Sequence, residues 1–210
     1  MCLVDCAQSQ CVKLCEWALP KSEPSAEQLS PPCALARDFA AVATNDQVLL
    51  LARRRAEIDQ HLETLHKCDI SSAVCLSFSP NGRKLAALCD NPPQISVIDC
   101  DSGEVDYTVP GPSTPTCCRF SPDGTRLAAV GSDAKVFLYD VLSGSHVLEL
   151  TGSGNARGTS PCNSRIAFSS DGSRIATNNF QGTIQVWSLG SSADEFCERR
   201  SVESVKDNRP

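Results

Sequence analysis

The sequence predicts an all-β protein assembled from copies of one small four-stranded sheet. Three observations predict it. A Phe-Ser pair followed by a turn recurs as Phe78-Ser79-Pro80-Asn81-Gly82, Phe120-Ser121-Pro122-Asp123-Gly124 and Phe168-Ser169-Ser170-Asp171-Gly172. A basic residue and an aliphatic–alanine pair follow each turn: Lys84-Leu85-Ala86, Arg126-Leu127-Ala128 and Arg174-Ile175-Ala176. Each copy then turns again and closes an alternating strand on Ile98-Asp99, Tyr139-Asp140 or Trp187-Ser188.

Each element has a physical reason. Asn-Gly and Asp-Gly supply the positive φ that tight hairpin turns need. The run before each turn is the first strand of a copy. "KLAAL" and "RLAAV" are almost wholly apolar, as a strand covered on both faces is. "KVFLYD" and "TIQVWS" alternate, as a third strand does. A further turn at Asp101-Ser102-Gly103 or Leu142-Ser143-Gly144 leads to the fourth strand, "EVDYTV" or "HVLEL". Phe78, Phe120 and Phe168 lie 42 and 48 residues apart. A period near 40–45 with four short strands marks a propeller blade. The longer interval contains an insertion, residues 151–163, rich in Gly, Ser, Thr and Asn, which reads as a surface loop between blades.

A worn copy precedes these three. Residues 39–65 align with the second, third and fourth strands of the later units, and their first strand is not evident. Residues 53–66 also suit a short helix by propensity, and position in the repeat favours strand–turn–strand. The domain plan is therefore an N-terminal segment and linker over 1–34, blades at about 35–68, 70–110, 112–150 and 160–189, and a polar tail over 190–210. Within the first part, residues 11–19 read as a stray strand and residues 20–32 as a proline-rich linker. A strand in the tail or in the N-terminal segment can complete the last blade.

At these residues the chain resembles the WD-repeat family of β-propellers. Tyr139-Asp140 stands where that family often has Trp-Asp, and Trp187 fills the Trp position with Ser188 in place of Asp. The resemblance covers residues 39–189 and implies a partial or open arc of about four blades. Departures are plain. No Gly-His pair precedes a first strand, Asp133 has no matching His or Trp, and Gln181 stands where the turn Asp would pair with Trp187. No blade assembles the family's buried polar network, so sheet-to-sheet packing must carry more of the stability. Four blades fall short of the usual seven or so. The chain therefore reads as part of a longer propeller, as an arc completed by another chain, or as a compact ring.

The formal net charge of −6 opposes nucleic-acid binding, which needs a basic face, and docking on anionic lipid. The start has neither a basic region nor an apolar run of leader type, and no stretch approaches 18 apolar residues. The expectation is a soluble protein of the cytoplasm, and the resemblance extends to cytoskeletal and ciliary WD-repeat proteins. Of 13 cysteines, Cys75, Cys89, Cys100, Cys117 and Cys118 fall in strand patterns and read as small core hydrophobes. Alternation places one of Cys117 and Cys118 inward and the other outward. Cys2, Cys6, Cys11 and Cys15 have a spacing unlike that of zinc sites, so no metal is assigned. No nucleophile elbow, phosphate loop or zinc-protease motif occurs, and neither catalytic residues nor a cofactor are assigned. Turn formation accounts for Asp101, Asp123 and Asp171.

The resemblance implies a non-enzymatic scaffold that holds other proteins through blade rims and loops; the alternative is a propeller accompanying or gating an enzyme module of a longer chain. The candidate protein contacts are exposed loop groups: Arg53, Arg54 and Arg55; Asp90 and Asn91; Ser132, Asp133 and Lys135; and Asn155 and Arg157 in the insertion.

Overall fold

The computed structural model describes residues 2–5, 12–16, 32–44, 46–53, 62–132, 135–151, 165–178, 184–189 and 199–202. Among these there is no helix. A short hairpin comes first, β1 (Cys2–Asp5) with β2 (Val12–Glu16). Four antiparallel four-stranded sheets follow. Sheet 1 contains β3 (Cys33–Leu35), β4 (Phe39–Ala43), β5 (Val48–Arg53) and β6 (Leu62–Cys68). Sheet 2 contains β7 (Ala73–Phe78), β8 (Lys84–Cys89), β9 (Gln94–Asp99) and β10 (Val105–Pro110). Sheet 3 contains β11 (Pro115–Phe120), β12 (Arg126–Gly131), β13 (Val136–Asp140) and β14 (His146–Leu150). Sheet 4 contains β15 (Ile166–Phe168), β16 (Arg174–Asn178), β17 (Ile184–Ser188) and β18 (Arg199–Val202).

Each sheet is a simple up-and-down meander whose first strand forms one edge. Those first strands are neighbours in space: β7 lies against β3 and β11, and β11 against β15. The sheets therefore stack face to face along a common inner line, which is the architecture of an open propeller arc.

The two strands expected here are present, β5 (Val48–Arg53) pairing antiparallel with β6 (Leu62–Cys68), and the turn expected between them lies outside the described residues. The first strand of sheet 1, which the repeat pattern did not reveal, is β3. Residues 199–202 supply the fourth strand of sheet 4, pairing Trp187 with Arg199 and Ile184 with Val202.

Sheet 2 shows why its second strand is uniformly apolar. Leu85, Ala87 and Cys89 pack toward sheet 1 with Ala41, Ala43, Val48 and Leu50. Ala86 and Leu88, with Ile95 and Val97 of β9, pack toward sheet 3. Sheet 3 repeats this with Ala128, Val130, Val136 and Leu138, all at most 1% exposed. Cys117 and Cys118 are both fully buried, which corrects the expectation that one faces outward. A middle sheet has no outer face: the Cys118 amide donates to Cys75 Sγ of sheet 2 at 3.4 Å, and the Cys117 thiol lies beside both Cys75 and the Ile166 backbone of sheet 4.

Among the described residues the series stops at sheet 4. Ile175 and Trp187 face sheet 3 and join its core. Register places Ala176 opposite Val186 and Asn178 opposite Ile184 on the other face. These positions match Ala86, Leu88, Ile95 and Val97 of sheet 2. There all four are fully buried, whereas Ile184 is 49% exposed.

Candidate functional site

The turns of a propeller arc are its display surfaces, and hairpin topology sorts them onto two rims. Connections from first to second and from third to fourth strand lie on one rim. Connections from second to third strand, and from one sheet to the next, lie on the other.

The first rim is built by two repeated hydrogen-bonded turns. In the first, the Ser121 hydroxyl donates to Asp123 and accepts from the Arg126 amide at 2.9 Å, while the Thr125 amide donates to Asp123 Oδ1 at 3.0 Å. Ser79 with Asn81, and Ser169 with Asp171, repeat the pattern. The serine, in the sequence only a marker of the period, is thus the latch of the turn. In the second turn the closing Asp accepts backbone amides: Asp99 Oδ1 from Asp101 and Ser102, and Asp140 Oδ1 from Ser143, all within 3.0 Å. These bonds favour the ionised form. The Ser102 amide holds the Asp99 pKa low, the Ser143 hydroxyl that of Asp140 and the Ser121 hydroxyl that of Asp123. Asp171 is pulled down to about 2, first by the Ser169 hydroxyl. The carboxylates serve turn geometry, and the aromatic–Asp ending of a copy is explained by its turn.

The turns also register one sheet on the next. Along the inner line, a side chain added at Gly124 would touch Pro80 and one at Gly172 would touch Pro122, with Ala36 taking the same place beside Gly82. At the outer edge, the fourth strands of sheets 1, 2 and 3 each carry a register shift that skips Leu65, Asp106 or Val147. In sheets 1 and 2 the next residue then reaches the neighbouring sheet. His66 Nε2 lies 3.0 Å from the Asp101 carbonyl and its ring covers Gly103. Tyr107 donates its hydroxyl to the Val141 carbonyl at 2.7 Å and covers Gly144. Tyr139 donates back to the Pro110 carbonyl. Gly103 and Gly144 have φ of +75° and +68°, conformations that glycine tolerates best.

The candidate contact residues separate onto these rims. Arg53 ends β5 on the first rim. Asp90 and Asn91 lie in the turn after β8, and Ser132 and Lys135 flank the turn after β12, on the second rim. Ser132 bonds Thr114 through both amide and hydroxyl, and Lys135 bonds Glu149 at 2.8 Å. Both are therefore already engaged within the chain. Arg54, Arg55, Asp133, Asn155 and Arg157 lie outside the described residues, as do Cys6 and Cys11. Among the described residues no group of three or more side chains suits a metal ion.

The thiols of Cys75, Cys89 and Cys100 are held protonated. Burial raises Cys89 to about 11 and, with Asp99 and Asp101 adding to it, Cys100 to about 12. Cys75 gains from a hydrogen bond with Cys117, which lowers its pKa, but Cys118 and burial outweigh that bond and bring it to about 11. Thiols of this kind pack as apolar groups at neutral pH, because the thiolate is the nucleophilic form.

One groove of about 710 Å³ opens on the first rim, close to the inner line. Its walls are β3 with residues 36–39, and the end of β7 with its turn to Gly82; Arg119 of β11 completes it. Leu35 is exposed there, and Phe39 and Phe78 are half-buried. No local pattern marks this groove in the sequence, because its residues come from three different sheets.

Sheets stacked about an inner line, with two rims of turns and one open end face, define a partial β-propeller. Residues 103–140 and 149–188 match the family model of the WD domain, G-beta repeat, so the chain carries WD repeats in those two stretches. Each matched stretch begins in or just before the fourth strand of one sheet and ends with the third strand of the next. A repeat therefore straddles two blades and ties them covalently. A chain from Kuenenia stuttgartiensis Hydrazine Synthase is similar in structure, with a TM-score of 0.63 at 12% identity over 89% of this chain and 53% of that one. This chain thus spans about half of that relative, and at such identity the likeness is one of fold alone. A search of the curated proteins returned no match.

Proposed function

We propose that this chain is a non-enzymatic protein-interaction scaffold that works as part of a larger propeller or multiprotein assembly. WD repeats are typically used to hold proteins together, and the arc presents two rims of latched turns on a rigid stack. The observation that carries the assembly reading is the outer face of sheet 4. Ala176, Ile184 and Val186 occupy positions that the preceding sheets bury completely, and a terminal repeat that ended a protein would need a polar outer face there.

The test is quantitative affinity capture from a lysate with the wild-type chain and with Ile184→Asp. Ile184 is 49% exposed, so the variant should remain folded, with a cooperative melt lowered by only a few degrees. Loss of specific captured proteins from the variant supports the reading. An identical set of captured proteins contradicts it.

A further inference from the structure

The groove between sheets 1 and 2 combines three features. Its walls carry exposed or half-buried Leu35, Phe39 and Phe78. Two arginines, Arg37 and Arg119, line it and are exposed. β3 and β7 are each the edge strand of their sheet, so each turns one backbone edge away from its own sheet's hydrogen-bond ladder.

The arginines decide the ligand's charge. Arg119 donates one N–H to the Cys118 carbonyl at 3.1 Å and approaches Cys75 Sγ at 3.9 Å. Neither Arg37 nor Arg119 has a carboxylate partner among the described residues. Asp38, on the same wall, already has a partner of its own. Exposed guanidinium groups without a carboxylate partner attract anions, and their planar forks match carboxylates. A cavity of about 710 Å³ lies in the size range of ligand sites.

We propose that this groove binds an extended acidic peptide, with carboxylates on both Arg37 and Arg119 and aliphatic or aromatic side chains against Leu35, Phe39 and Phe78. The proposal rests on the interaction-scaffold reading and gives that scaffold a specific site and ligand chemistry. Strand edges beside the groove suit an extended backbone.

The experiment uses the full chain and a fluorescein-labelled octapeptide alternating Glu and Leu, read by fluorescence polarisation. A Gln–Leu octapeptide and an octaglutamate are the comparison probes. The expected result is saturable binding of the Glu–Leu peptide and clearly weaker binding of both others. Arg119→Gln and Arg37→Gln should each weaken it by about tenfold, the scale of one charge-assisted hydrogen bond. Leu35→Ser should weaken the Glu–Leu peptide without changing the weak octaglutamate signal. Both arginines are exposed, so unchanged thermal melts verify that the variants remain folded. No binding, equal binding of the Gln–Leu peptide, equal binding of octaglutamate, or arginine variants that bind like the wild type would each overturn the proposal. Such a failure leaves the capture result at Ile184 untouched, so the groove and the wider scaffold reading fail separately.

Discussion

Ile95 and Ile184 provide a matched pair for testing the blade series. Ile95 is the second residue of β9 and Ile184 the first of β17, they lie opposite Leu88 and Asn178 near the end of the second strand, and each points toward the place of the next sheet. Ile95 is fully buried against sheet 3, and Ile184 is 49% exposed. Replacement by alanine removes three carbons in both cases, and the loss of strand propensity is the same. At Ile95 the transfer loss is about 2.4 kcal/mol at roughly 0.8 kcal/mol per buried carbon. A cavity in a sheet packed on both sides adds about 1 kcal/mol, for a total of about 3–4 kcal/mol. At Ile184 only about half of the transfer loss applies and no cavity forms, leaving about 1 kcal/mol. Urea unfolding of the full chain, with unchanged m-values, should therefore separate Ile95→Ala from Ile184→Ala by about 2–3 kcal/mol. Equal costs would refute the claim that sheet 4 ends the stack with an open face.

Gly103→Ala should destabilise by about 1–3 kcal/mol, because φ is +75° and the new carbon would overlap the His66 ring; adding His66→Ala in a double-mutant cycle should recover part of that loss, and strict additivity would contradict the contact. Asp171 is ionised more readily in the folded than in the unfolded chain, its pKa being lowered to about 2 from an ordinary value of 3.8. Its turn bonds therefore contribute fully above about pH 4 and are lost as pH falls toward about 2. Asp171→Asn should flatten the acid dependence of the melting temperature in that window, and an unchanged slope would remove the latch from the account. Thr177 Oγ1 and Gln185 Oε1 are buried between sheets 3 and 4 without a hydrogen-bond partner among the described residues. Thr177→Val should accordingly be neutral or stabilising by about 1 kcal/mol, and a clear loss in a thermal melt would show a partner for the hydroxyl.

The repeat made the sheets, their second and third strands and the arc legible, because apolar runs and Asp-Gly turns are local signals. What connects the sheets is not local. His66 and Tyr107 look unrelated in sequence, yet a register shift in each fourth strand brings both onto the glycine of the next sheet's turn. Pro80 and Pro122 read as turn residues, and their contact with Gly124 and Gly172 emerges only when sheets stack. β3 is hidden because three residues beside a proline-rich stretch have too little pattern to read. β18 is hidden because Arg199-Arg200-Ser201-Val202 is polar, as an outer edge strand often is. The rim residues read as loops, but sequence distance conceals that Arg53 sits on the rim opposite Asp90, Asn91, Ser132 and Lys135.

Hydrogen–deuterium exchange of the full chain, read by mass spectrometry strand by strand, tests the central claim most directly. The account predicts that β8, β9, β12 and β13, covered on both faces, exchange only through cooperative unfolding, while β16 and β17 exchange faster through local opening of the sheet with one bare face. Equal protection of β17 and β13, or independent exchange of β9 and β13, would contradict a stack of blades that is closed in its middle and open at sheet 4.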